Sequence, residues 1–343
     1  MDACPVFRSL AFGAAILASI PAPGQTASAV KTTAQIPRTA DGHPDLQGFW
    51  ENKTLTPLER PRELANKEFF TPQEAEQYAK RLTERRNRDH RERGTVNDVQ
   101  NAYNDFWWDS GTKVVKTLRT SLVLDPPDGR IPALTPERQQ ELQAREEAIA
   151  KRCAQPGEAC QIENNGRLGL ADGPEDRPLM ERCLQFAAGP PMLPGAYNNH
   201  YQIAQAPDFV AIDAEMAHDV RMIPLDGRPH LPSNVRLWMG DSRGHWEGGT
   251  LVVDTTNFKD RWFRGATDEK LHLIERFTMV DPDTILYRFT IDDPGVYTKP
   301  WTAEVPLLRS EGPMIEYACN EGNEGMAGIL AAARAEEKKK AGK

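Results

Sequence analysis

Basic excess is the first thing this chain lacks. Lysine and arginine number 42 against 50 aspartate and glutamate residues, a formal net charge of −8. An acidic chain with no concentrated basic face binds phosphates poorly, which argues against nucleic acid and against polybasic attachment to a membrane surface. Long apolar runs are also missing. Beyond residue 29 nothing approaches the roughly 18 apolar residues of a membrane span, so no membrane insertion is expected. Familiar chemical signatures are absent too. There is no glycine-rich phosphate loop, no Rossmann fingerprint, no haem-attaching C-x-x-C-H and no C-x-x-C pair for zinc. The string "GDSRG" departs from the G-x-S-x-G elbow of serine hydrolases. No cofactor and no metal is implied.

What is present begins with an export pattern. Arg8 precedes the apolar stretch "LAFGAAILASI", and Ala27-Ser28-Ala29 is a small-x-small site. This is the form of a secretory signal peptide, with cleavage expected after Ala29 and a periplasmic or secreted product. No cysteine follows the apolar stretch to carry a lipid. Four cysteines remain, Cys153, Cys160, Cys183 and Cys319. In an oxidising compartment they read as two disulfides. Cys153–Cys160 would close a small Pro/Gly loop, leaving Cys183–Cys319, whose long loop would stabilise by roughly 4 kcal/mol in the chain-entropy picture.

The chain changes period along its length. Residues 30–198 form a helical and loop-rich wrap. Within it, "LQGFW" is a short strand candidate with Trp50 plugging a barrel end, and Thr71-Pro72-Gln73-Glu74 is a capping box starting a helix that stops at Gly94. Tyr78 and Leu82 are that helix's apolar pair. Tyr103, Phe106, Trp107 and Trp108 read as core cover, and Thr135-Pro136 starts a second helix running to about Lys151. From residue 199 to 309 the period is two. "HYQIAQA", "FVAIDAEM", "DVRMIPLD", "TLVVDTTNF", "LHLIERFTMVD", "TILYRFTIDD" and "WTAEVPLLR" are successive strands, with "DGRPH", "GHWEGG" and "DPD" among the turns between them. Such a series predicts an antiparallel meander closing into a lipocalin-like barrel or curled sheet, with two or three peripheral helices. Residues 310–343 add a C-terminal strand or short helix and a basic tail.

The stretches "DGHPDLQGFWENKTLTPLERP", "IPLDGRPHLPSNVRLWMGDSRGHWEGGTLVVDTTNF" and "EYACNEGN" resemble a family of secreted bacterial proteins sharing this motif order over nearly the whole mature chain. The resemblance implies length and compartment, and no particular reaction. Gly249 stands where that family usually carries an aspartate. More loosely, the G-x-W-x-G-x-T-L turn is similar to that of lipocalin and fatty-acid-binding-like barrels. That similarity covers residues 199–309 and implies a fold enclosing small apolar molecules.

Two regions concentrate reactive side chains. If Asp281-Pro282-Asp283 turns a hairpin with Val280 facing Thr284, partner numbers sum to about 564, which opposes Arg276 to Arg288 and His272 to Asp292. Something must separate the two arginines, either Glu304 from the next strand or an anionic ligand. The other hairpin face is apolar (Leu273, Phe277, Tyr287, Phe289) but interrupted by Glu275, a carboxylate costly to bury without a partner. The second region joins Glu215, His218, Asp219 and Arg221 to Asp241, Arg243 and His245 if strands ending at His218 and beginning at Thr250 meet at one barrel mouth. The alternative there is turns and solvated ion pairs, with "GDSRG" itself a tight turn and His230 a turn residue.

These residues predict an exported barrel enclosing a small, largely apolar molecule with an acidic group. Tyr201, Glu275, Arg276, Arg288 and Trp246 would contact that ligand. If the protein is catalytic, a cofactor-free lyase, hydratase or isomerase fits. His218 would be its acid or base, Asp219 or Asp241 the orienter, and Arg221 or Arg243 the stabiliser of negative charge, with Glu215 and His245 beside them. A non-catalytic binding or envelope protein is the alternative. A metal-dependent hydrolase using His200, His218, His230 and His245 is a second, although their spacings match no compact ligand signature. Nothing in the sequence sets an oligomeric state.

Overall fold

The computed structural model describes residues 35–87, 94–95, 108–155, 157–158, 160–163, 168–186, 189–217, 219–259 and 269–342. The signal segment, His218, and Tyr103, Phe106 and Trp107 lie outside the described residues, and the helix expected to stop at Gly94 ends earlier, at Arg86, where the backbone of Asn87 turns extended. In chain order the first elements are β1 (Gly48–Glu51), α1 (Pro72–Arg86), β2 (Val123–Asp125), α2 (Pro136–Cys153), β3 (Cys160–Ile162) and β4 (Leu168–Leu170). Next come β5 (His200–Gln205), β6 (Phe209–Ala214), β7 (Asp219–Pro224), β8 (Asp241–Glu247) and β9 (Thr250–Thr256). The last are β10 (His272–Asp281), β11 (Thr284–Asp292), β12 (Trp301–Arg309) and α3 (Glu324–Lys340).

Period-two alternation decides the architecture, because each strand has one apolar face to bury. Among the described residues the main sheet runs β7-β6-β5-β1-β12-β11-β10-β9-β8, with β2 on the side of β12. It curls into a nearly closed antiparallel barrel. Its interior is filled by large side chains, including Trp50, Trp301, Tyr201, Tyr287, Phe258, Phe277 and Phe289, all fully buried. Strand β1 stitches two meanders together, pairing Trp50 with Tyr201 on one side and Arg309 on the other. The barrel therefore takes a strand from well before residue 199, and Trp50 lies within the wall with its indole N–H donating to the Leu46 carbonyl at 2.9 Å.

Strand parity shapes the closing seam. Every adjacent pair along the path is antiparallel. With nine strands in that path, β7 and β8 at its two ends must point the same way. Parallel neighbours cannot be joined by a tight turn and need a crossover. Residues 225–240 supply it, running back over the outside of β8 and β9. Leu237 pairs with Phe258, and the Asn257 side chain donates to the Leu231 and Pro232 carbonyls. Here the expected connection differs from the observed one: the "DGRPH" turn is the start of a long crossover, and "DSRGHWE" is strand β8 itself rather than turn. At the seam, Gly244 lets β8 approach β7 closely. A Cβ there would stand 2.6 Å from Leu225 Cδ2 and 2.8 Å from Ile223 Cγ2.

The peripheral elements follow their caps. Thr71 and Glu74 form the reciprocal capping box at the start of α1, and Tyr78 and Leu82 bury the inner face. Thr135 caps α2. Both disulfides have the expected pairing, Cys153–Cys160 and Cys183–Cys319. The described residues from 35 to 342 belong to one compact unit.

Candidate functional site

The β10–β11 hairpin has the predicted register from His272 through Met279, with Arg276 opposite Arg288 and His272 opposite Asp292. A bulge near the turn moves the last pair, so Asp281 rather than Val280 faces Thr284. Alternation then sends Glu275 and Tyr287 inward and both arginines outward.

Inside the barrel, Glu275 is completely buried. It is not alone. Arg221 of β7 approaches it end-on, Nη1 donating to Oε1 at 3.1 Å and Nη2 to Oε2 at 2.7 Å. The Tyr287 hydroxyl donates to the same Oε1 at 2.7 Å. A bidentate guanidinium and a phenol together meet the demand that a buried carboxylate be paired and hydrogen-bonded. Burial, and next the adjacent carboxylate, push the Tyr287 phenol well above its ordinary value, so it remains a donor. The same hydroxyl accepts from the backbone N–H of Met192 at 3.1 Å. Asn52 donates to the Met192 carbonyl at 3.4 Å and to the Tyr201 hydroxyl at 3.5 Å. Burial likewise raises the Tyr201 phenol.

The segment around Met192 is thus pinned over this polar cluster. Between them lies a small cavity lined by Gly189, Pro190, Met192, Tyr201, Arg221 and Asp219, with Ile212, Ala214 and Met239 completing the wall. Its volume is about 10 Å³. That is room for one water molecule. Arg221 Nε is buried with no hydrogen-bond acceptor, although the rest of the guanidinium is paired.

The remaining expected site residues do not join this cluster. Asp241, Arg243 and His245 share the outer face of β8. Asp241 accepts from Arg243 Nη1 at 2.6 Å and from the Leu231 N–H at 2.8 Å. His230, in the crossover, places Nδ1 3.0 Å from Asp241 and Nε2 2.9 Å from Asp254. His272 Nε2 lies 2.7 Å from the other Asp254 oxygen. Hydrogen bonding to Asp254 raises the His272 pKa, and that bond in turn lowers the pKa of Asp254. So the string that reads as a barrel mouth is a clasp holding the crossover against the wall. His245 is exposed, 3.1 Å from Glu247. Glu247 also accepts from Arg276 at 2.7 Å, the chief reason its pKa is lowered. Arg288 pairs with Glu304 at 2.8 Å. Each arginine has its own carboxylate on the outer face, which removes the need for an anionic ligand between them.

Trp246 points inward but stacks on His43, with ring centroids 4.5 Å apart, and does not line the cavity. Glu215 follows β6 and accepts from the Ile315 N–H at 3.4 Å. Its neighbour His200 lies 3.1 Å from Asp109, which also meets Lys53 at 3.1 Å. Asp109 raises the His200 pKa. Burial pushes Asp109 upward, yet hydrogen bonds from His200 and Lys53 leave its pKa lowered overall.

The structure thus joins Arg221 and Asp219, expected at a barrel mouth with Asp241, Arg243 and His245, to Glu275 and Tyr201, expected as separate ligand contacts. Tyr287, expected only as part of an apolar hairpin face, is their polar partner. The register carried that signal: Tyr287 is two residues from Phe289, the residue opposite Glu275, and so lies on its diagonal. The roles of Met192 and Asn52 had no local signal.

No protein-family model matches this chain, and no curated protein matches it. Among solved structures, a mutant of the fluorescent protein UnaG is similar over 33% of this chain and 72% of that one, at 14% identity and a TM-score of 0.21. At that TM-score, function has to be read from this chain's own residues.

Proposed function

We propose that this is an exported binding protein that takes a small, largely apolar molecule into the barrel at the Arg221 end, beneath the Gly189–Met192 segment. The observation that carries this reading is the Arg221–Glu275–Tyr287 cluster. It is a polar group set into an apolar interior and bordering a cavity, paired at every donor and acceptor described above except Arg221 Nε. Ligand sites have this make-up, apolar walls with a few fixed polar groups. The cavity holds only a water as it stands, so a larger occupant must displace the Met192 side chain and its segment. Methionine is suited to that, being unbranched and adaptable, and Met239, which also lines the cavity, is a second such residue. Two disulfides suit an oxidising compartment.

Binding is favoured over the acid–base chemistry considered from sequence. Asp241, Arg243 and His245 lie on the outer wall, in ion pairs of their own and away from the cavity. The test is native mass spectrometry of protein purified from its own envelope fraction, alongside Asn52→Ala. Release of a bound small molecule on denaturation, and faster exchange of that molecule in the variant, supports the reading. A ligand-free protein that also takes up no apolar probe overturns it.

A further inference from the structure

The ligand's polar end is open to inference from the charges around the cavity. Arg221 supplies one positive charge. Glu275 engages it bidentately, and Asp219 lines the same cavity beside it. The guanidinium is therefore already neutralised, and a ligand carboxylate would stand against two protein carboxylates in a poorly solvated space. What the guanidinium still offers is Nε–H, a buried donor without an acceptor on a side chain only 7% exposed. An unmet buried donor costs free energy that an acceptor restores, and a neutral acceptor restores it without adding charge.

We propose that the site selects a molecule whose apolar body ends in a neutral hydrogen-bond acceptor, such as a ketone, aldehyde or ester carbonyl, received by Arg221 Nε. This rests on the binding reading above and sharpens it, because an acidic end group is the expectation from sequence. Glu275 is the discriminating residue: by neutralising Arg221 it turns an apparent anion site into a carbonyl site. Tyr287 contributes by holding Glu275 in place, its own hydroxyl having both a partner to donate to and one to accept from.

Four probes of equal length separate the end groups: methyl octyl ketone, decanoate, decane and decylamine, titrated near neutral pH and followed by tryptophan fluorescence and native mass spectrometry. The ketone should bind about tenfold or more tighter than each of the other three, the discrimination expected when a site is built to hydrogen-bond one group. Arg221→Lys keeps a cation for Glu275 but removes the Nε donor, and should bring the ketone down to the level of decane. Glu275→Gln frees the guanidinium charge and should raise decanoate affinity about tenfold or more. Far-UV circular dichroism confirms that each variant is folded, and either variant alone suffices for the test. If decanoate or decylamine binds wild type best, or ketone and decane bind equally, the carbonyl assignment is overturned while barrel binding stands. If none of the four binds, both readings fall.

Discussion

His272 Nε2 and Asp254 Oδ2 meet at 2.7 Å on the outer wall, across the β9–β10 pair. His200 and Asp109 repeat the arrangement elsewhere on the surface. Both histidines have raised pKa values in the folded state. Their stabilisation is complete below the unfolded histidine value of about 6.5 and is lost as pH rises through the folded values. Both aspartates are lowered, so their share is present above about 3.9 and lost as pH falls through the folded values. Stability should therefore fall as pH rises from 6 toward 9, and fall again in strong acid. Thermal melts of wild type and the His200→Gln/His272→Gln double variant check this. The variant should have the flatter profile on the alkaline side.

The buried pair inside the barrel should behave differently from these surface pairs. Arg221→Met alone leaves the Glu275 carboxylate without its cation, and Glu275→Leu alone leaves a buried guanidinium. Each should cost about 3–5 kcal/mol in urea unfolding. The double variant should recover most of that, less about 1 kcal/mol for the Tyr287 hydroxyl that loses its acceptor. Non-additivity of this size would establish the direct contact.

Gly244 and Gly249 are close in sequence but opposite in consequence. Gly244→Ala drives a methyl into Ile223 and Leu225 at the seam and should cost about 1–3 kcal/mol. A Cβ at Gly249 would meet nothing nearer than Pro44 Cγ at 3.9 Å, and Gly249→Asp should change stability by no more than about 0.5 kcal/mol. Paired denaturation curves decide both.

The two disulfides differ in the chain they close. Cys183 and Cys319 are 136 residues apart, Cys153 and Cys160 only 7. Replacing the first pair by serine should cost about 4–5 kcal/mol and the second about half that, measured by chemical unfolding of each double variant.

The hairpin register, the helix caps and the cysteine pairing were all legible, because each depends on neighbours in sequence or on a count with few solutions. Strand β8 was not. Its polar residues Asp241, Arg243, His245 and Glu247 alternate with Ser242, Gly244 and Trp246, and with small Ser242 and Gly244 inward a single tryptophan gave no apolar alternation. Glycine at position 244 reads as a turn former until Ile223 and Leu225 are seen to occupy the space its side chain would need.

From sequence alone came the class of the fold and the partition of side chains between the two faces of most strands, since alternation is a property of the chain itself. It also put Glu275 on an apolar face and so required a partner for it. Which partner was left to closure of the barrel: β7 and β10 are separated in sequence by the crossover and along the sheet by six of its eight strand pairings, and only closure at the β7–β8 seam brings them near. Curvature brings Arg221 inward to Glu275, while the parallel seam that parity imposes sends residues 225–240 outside, carrying His230 to Asp241 and Asp254. Long-range proximity depends on how the wall closes, and no local pattern encodes it.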